Sequence, residues 1–213
     1  MTAGAAPHSV ADAPQRSAPH AHYDVARVRR DFPILAERIN GRPLAFLDSA
    51  ASAQMPRAVI DAITQYESQS HANVHRGVYQ LSQRATEAFE GARARIRGFL
   101  NARSSKEIVF VRGTTEAINL VAQSYGRSML RAGDEILITA LEHHANIVPW
   151  QMLCAVTGAK LVVAPIDARG ELPFEEFEKR LSARTRLVAA AHVSNALGTI
   201  LPVARIIAAA HAR

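Results

Sequence analysis

Residues 109–119 read VFVRGTTEAIN, and the fold turns on how this stretch is read. The apolar, β-branched run 108–111 predicts a buried strand, and Gly113 breaks it. Thr114 and Thr115 then open an amphipathic helix, with Ile118, Val121 and Ala122 at helical spacing. A strand–glycine–helix turn aims free backbone N–H groups and the positive end of a helix dipole at one point, where a phosphate fits and two threonine hydroxyls add donors. The same residues allow a plainer reading. Thr114 or Thr115 can serve only as an N-cap, with Glu116 in the first turn where its charge suits the dipole.

Working outward, residues 106–213 alternate strand and helix. The pattern predicts strands at 108–111, 135–139, 161–165 and 186–193, and helices at 116–130, 145–156, 174–181 and 203–210. Apolar strands alternating with helices imply an α/β fold with a mainly parallel sheet flanked by helices on both faces. Ligands of such sheets lie beyond the carboxyl ends of the strands. Three predicted strand ends carry chemistry: Gly113-Thr114-Thr115, then Glu142-His143-His144-Ala145-Asn146, then His192-Val193-Ser194-Asn195. A phosphate cradle, a flat imidazole and a carboxamide are therefore expected around one crevice.

Upstream the signals are local. Residues 1–22 are rich in Ala, Pro, Ser and His without periodicity and read as a disordered tail; His8, His20 and His22 are too irregularly placed for a metal site. A short helix begins near Val25 and stops at Pro33, Asn40-Gly41 marks a tight turn, and 44–47 reads as a short strand. The small residues Asp48-Ser49-Ala50-Ala51-Ser52 permit close backbone approach, or form an Asx-type turn into a helix over 56–68. The polar loop 71–79 holds His71, His75 and Arg76 ahead of a long helix over 82–100.

Composition narrows the classes. The 213 residues are 48% hydrophobic, enough for a substantial core, and carry a net charge of +6. Only Lys106, Lys160 and Lys179 among the 25 basic residues are lysines, and the arginines are scattered, which argues against nucleic-acid binding. The single cysteine, Cys154, sits in an apolar stretch and reads as a core residue, so neither a disulfide framework nor a multi-cysteine metal site is expected. No apolar run approaches the length of a membrane span, and the start lacks a signal-peptide pattern, so a cytoplasmic setting is expected.

Several stretches carry a resemblance. RGTTEAINLVAQS (112–124), ALEHHANIVPWQMLC (140–154) and HVSNALGTI (192–200) resemble the fold-type I enzymes that use pyridoxal 5'-phosphate. Within them they are similar to the class V aminotransferase superfamily, and specifically to SUF-type cysteine desulfurases. LDSAASAQMP (47–56) and VHRGVYQLSQRATE (74–87) match the same family. The resemblance implies that Thr114 and Thr115 bind the cofactor phosphate, that His143 stacks on the pyridine ring as the catalytic histidine, and that Asn195 donates to the phenolic oxygen. His144 and Asn146 would be structural. Ala50 and His75 would lie near the substrate, and Arg76 in a homodimer contact. The implied reaction removes sulfur from L-cysteine, giving L-alanine and an enzyme persulfide. Its sulfur passes to a SUF-type acceptor protein for iron–sulfur cluster assembly. Selenocysteine lyase, another class V enzyme and a non-catalytic fragment are the alternatives.

The same resemblance implies a chain that stops early. The imine-forming lysine, the aspartate facing the pyridine nitrogen, the nucleophilic cysteine and the arginine for the substrate carboxylate would all lie beyond Arg213. Lys106, Lys160, Lys179 and Cys154 do not match those positions. The expected organisation is a tail at 1–22, an N-terminal arm with helices at 23–105, and the first part of a truncated cofactor-binding domain at 106–213. Inactivity alone and poor solubility are expected with it.

Overall fold

The structure, a computed structural model, describes residues 23–213, so the expected tail and its three histidines lie outside the described residues. The chain divides into two compact units, one ending at Ala85 and one starting at Thr86. The boundary expected at 105 falls within the second. Among the described residues, no helix is long and apolar enough to cross a membrane.

The first unit begins with α1 (Val25–Arg30), capped by the Asp24 side chain on Arg27 N–H, followed by a 3-10 turn at Pro33–Ala36. Strands β1 (Arg38–Ile39) and β2 (Arg42–Pro43) pair antiparallel around Asn40-Gly41. Both turn residues have positive φ, 51° and 73°, as a tight primed hairpin turn requires. That hairpin displaces the strand expected at 44–47. The Leu44 N–H still bonds to the Glu37 carbonyl, but the Leu44 carbonyl is taken by the Arg29 guanidinium and pairing ends there. Leu47 is almost fully exposed. Helix α2 (Arg57–Gln69) follows, and α3 (Gln80–Phe99) runs from the first unit into the second.

The second unit is a three-stranded parallel sheet with helices. Its strands are β3 (Glu135–Thr139), β4 (Lys160–Ala164) and β5 (Thr185–Ala189), in the order β4-β3-β5. Central β3 is buried along its whole length, as an apolar strand covered on both faces must be. Its side chains alternate between two clusters. Ile136 and Ile138 join Ala122, Leu130, Trp150 and Leu153, whereas Leu137 joins Phe174, Phe177, Leu201 and Ile206. Helix α6 (Val148–Thr157) therefore covers one face, and α7 (Phe174–Glu178) and α8 (Val203–His211) the other. Cys154 packs against the first of these clusters, and burial pushes its thiol pKa up.

Two expectations are corrected here. Residues 108–111 join no strand ladder among the described residues, and Val109 and Phe110 are exposed. They are held by α3 instead. The Arg93 guanidinium donates to the Ile108 carbonyl and lies over the Phe89 and Phe110 rings, which meet edge to face at 5.2 Å. The helix expected over 116–130 contains an irregularity: α4 (Thr114–Val121) passes into a π turn at Ala122–Gly126 and then α5 (Arg127–Met129). The π turn inserts an extra residue and brings Ala122 and Gly126 into the interior together. A Cβ on Gly126 would lie 2.5 Å from Leu153 Cδ2, so glycine is what lets this turn approach α6.

Candidate active site

The strand order places the site. From β3 the chain crosses to β4 by α6, then returns past β3 to β5 by α7. The segments leaving β3 and β5 thus depart side by side toward opposite faces. This is the topological switch point where open α/β sheets form a ligand crevice.

The first expected segment opens α4. Gly113, extended at φ 167°, is the N-cap and no side chain caps the helix, so neither threonine plays that part. Ala117 N–H bonds back to the Gly113 carbonyl, whereas the N–H groups of Thr114, Thr115 and Glu116 have no partner among the described residues. Both threonines are exposed. The Glu116 carboxylate folds back onto Arg112, accepting from its backbone N–H at 2.7 Å and its guanidinium at 3.1 and 3.2 Å. These bonds hold the Glu116 carboxyl below the usual carboxylate range. They also balance its charge, leaving a helix end able to receive an anion.

The second segment follows β3. His143 precedes a 3-10 turn at His144–Asn146 and caps it, its Nδ1 accepting from the Ala145 N–H at 3.2 Å. The ring remains exposed, with Nε2 free of that bond. The His144 ring meets it edge-on at 6.0 Å. Asn146 links into the structure beneath: its Oδ1 accepts from Trp150 Nε1 at 2.8 Å and its Nδ2 donates to Glu142 at 2.7 Å.

The third segment follows β5, which ends at Ala189 rather than continuing to 193. Ala191 N–H leaves the ladder and donates to both Glu142 oxygens at 3.0 Å. A compact loop then presents the exposed Asn195. Buried Ser194 builds that loop, donating its N–H to the Thr199 carbonyl and accepting at Oγ from Ala196 and Leu197 N–H.

The structure thus packs α4 beside the His144–Asn146 turn and bonds Glu142 to the exit from β5. Ala50 and His75 belong to the other unit. Ala50 lies in a turn closed by Ala51 and Ser52 N–H on the Asp48 carbonyl. His75 has a left-handed φ of 62° in a loop held by Ser82, whose Oγ accepts from Gly77 N–H and donates to the Asn73 carbonyl. Glu142 stands in the expected strand-end run but without a role of its own there; its signal is an acidic residue three positions past β3 and immediately before paired histidines.

A three-stranded parallel sheet covered by helices on both faces makes the second unit an α/β fold, and comparison with known proteins says which. Residues 45–213 match Aminotransferase class-V, and the chain belongs to that family. It is 56% identical over 189 residues to a cysteine desulfurase of Synechococcus elongatus, covering 89% of this chain and 30% of that protein. An Enterobacter cysteine desulfurase is also 56% identical, over 89% of this chain and 47% of the relative. Among solved structures, the Escherichia coli cysteine desulfurase CsdA superimposes with a TM-score of 0.75 at 41% identity, over 89% of this chain and 46% of that one. The apo cysteine desulfurase of Thermococcus onnurineus NA1 gives 0.80 at 37%, over 88% and 45%. The chain spans about half or less of the length of these relatives.

Proposed function

We propose that this chain is the cofactor-cradling N-terminal half of a SUF-type cysteine desulfurase. In this reading the whole protein removes sulfur from L-cysteine, giving L-alanine and a persulfide, and passes the sulfur to an acceptor protein for iron–sulfur cluster assembly. It works in the cytoplasm as a homodimer. The observation that supports the reading is the packing of α4, whose N-terminus has no side-chain cap, beside the His144–Asn146 turn, which Glu142 bonds to the segment leading to Asn195.

These residues fit pyridoxal 5'-phosphate. The Thr114, Thr115 and Glu116 N–H groups and two exposed hydroxyls suit a phosphate dianion. The exposed His143 ring, fixed through Nδ1, offers a flat face to an aromatic ring, and the Asn195 amide can donate to its phenolic oxygen. When bound, the cofactor serves as the electron sink that weakens bonds at the substrate carbon. His143 then holds the ring plane and Asn195 orients its oxygen side. Turnover needs groups from the rest of the protein, so this chain alone releases neither alanine nor sulfide from L-cysteine.

Titration with pyridoxamine 5'-phosphate tests the cradle, because that compound has no aldehyde to react with Lys106, Lys160 or Lys179. Saturable one-to-one binding is expected, displaced by inorganic phosphate. T115A should weaken it roughly tenfold, the worth of about one hydrogen bond to a charged group. Unsaturable binding, or binding indifferent to T115A and H143A, overturns the reading.

A further inference from the structure

We propose that Glu142 is a positioning residue that ties His143 to Asn195, an inference resting on the reading of the site just given. Its carboxylate is buried, 8% exposed, at the switch point. It accepts from three places: the Thr139 hydroxyl at the end of β3 at 2.6 Å, the Asn146 amide in the 3-10 turn at 2.7 Å, and the Ala191 N–H beyond β5 at 3.0 Å. Its partners among the described residues are all donors, and a carboxylate is the side chain that accepts at both oxygens. Charge-assisted bonds of this kind are short and geometrically demanding.

The consequence lies in the chain positions. His143 is the next residue after Glu142, and its ring is anchored to Ala145 inside the turn that Asn146 closes. Asn195 stands four residues beyond Ala191, on the loop built by Ser194. Among the described residues no ladder bond joins β3 and β5 past Ile138 and Ala189, so the Glu142 side chain takes over from the backbone as a link between the two exits. One carboxylate therefore sets the spacing between the imidazole and the carboxamide. Among the described residues its hydrogen bonds come from Thr139, Asn146 and Ala191 rather than from α4.

The variant E142Q separates these roles. A glutamine presents N–H groups to at least one of the three donors. Asn146 cannot turn its oxygen inward without losing Trp150 Nε1–H. In the folded variant, NMR signals of the Trp150 indole N–H, the His143 ring and the Asn195 side-chain amide should shift, while those of Thr114 and Thr115 N–H stay in place. Pyridoxamine phosphate affinity should fall by at least about tenfold and inorganic phosphate affinity by less than about twofold, because displaced side chains lose a ring ligand but not a bare anion. T139V removes one donor without changing side-chain shape, and should move the same signals by a smaller amount; it carries the test if E142Q does not fold. Wild-type His143 and Asn195 signals in a folded variant overturn the proposal, as does an equal change at Thr114, Thr115 and the phosphate affinity. Should the unsubstituted chain take up neither probe, the functional reading fails, while the resonances still decide the role of Glu142.

Discussion

Replacing Gly126 by alanine tests how the π turn that continues α4 packs on α6. Gly126 closes the π turn, and a methyl group there would stand 2.5 Å from Leu153 Cδ2. Ordinary carbon contacts need about an ångström more. Leu153 is fully buried among Trp150, Ile136, Ile138 and Leu130 and has nowhere to retreat. Overpacking of this kind costs about 1–3 kcal/mol, and alanine's better helix propensity returns up to about 1 kcal/mol. A net loss of about 1–2 kcal/mol is expected, or a Tm lower by roughly 2–8 °C at this chain length. Urea unfolding of G126A, L153A and the double variant measures it. Leu153→Ala alone should cost about 2–5 kcal/mol by leaving a cavity. In the double variant the new methyl has room, so the two losses should fall short of additivity by at least about 1 kcal/mol. A G126A chain stabilised as by helix propensity alone, with additive losses, would refute the packing of the π turn on α6. The frame that fixes α4 relative to His143 would go with it.

Glu135 should shape the acid response. Its buried carboxylate accepts from Ser182 Oγ at 2.6 Å and from Arg184 at 2.7 and 2.9 Å, and these partners, Ser182 foremost, hold its pKa below the usual value. With the folded pKa depressed, its stabilisation is complete above the unfolded value of about 4.3 and is lost as pH falls through the folded one. E135Q should lower stability at pH 7 by about 1–2 kcal/mol, modest because Arg184 stays 65% exposed, and flatten the fall in stability below about pH 5; an unaltered slope counts against the pairing. In the first unit, a Cβ on Gly77 would lie 2.5 Å from the Tyr79 ring and 2.8 Å from Ser82 Oγ. G77A should therefore loosen the loop around His75 and speed tryptic cleavage after Arg76 by about tenfold, as a local cost of about 1.4 kcal/mol would. Cleavage at the unsubstituted rate would show that Ser82 does not hold the loop.

Local pattern was a sound guide where the information is local. Glu135–Thr139 was legible to the residue because an unbroken apolar run bounded by Gly133-Asp134 has one reading in an alternating α/β chain. Helix α6 was legible in kind, with Pro149 in its first turn and Gly158 at φ 76° at its end, but it starts at Val148 rather than 145 because a 3-10 turn occupies His144–Asn146. Thr114, Thr115, His143 and Asn195 stand out in the sequence because each follows a predicted strand, where the ligand rule for parallel sheets directs attention. Run 108–111 misled for the complementary reason. Its composition suits a strand, but a strand exists only where a neighbour offers a ladder, and Arg93 and Phe89 hold this one instead.

By itself the sequence determined the parallel α/β class, the central strand and the residue types waiting at the strand ends, since side-chain periodicity and turn chemistry act over a few residues. Only the tertiary structure decided which strands pair, why α4 carries a π turn, and that Glu142 reaches Ala191, 49 residues away, to join two strand exits. Contacts of that span depend on chain closure and on the order β4-β3-β5, neither of which any local stretch of sequence encodes.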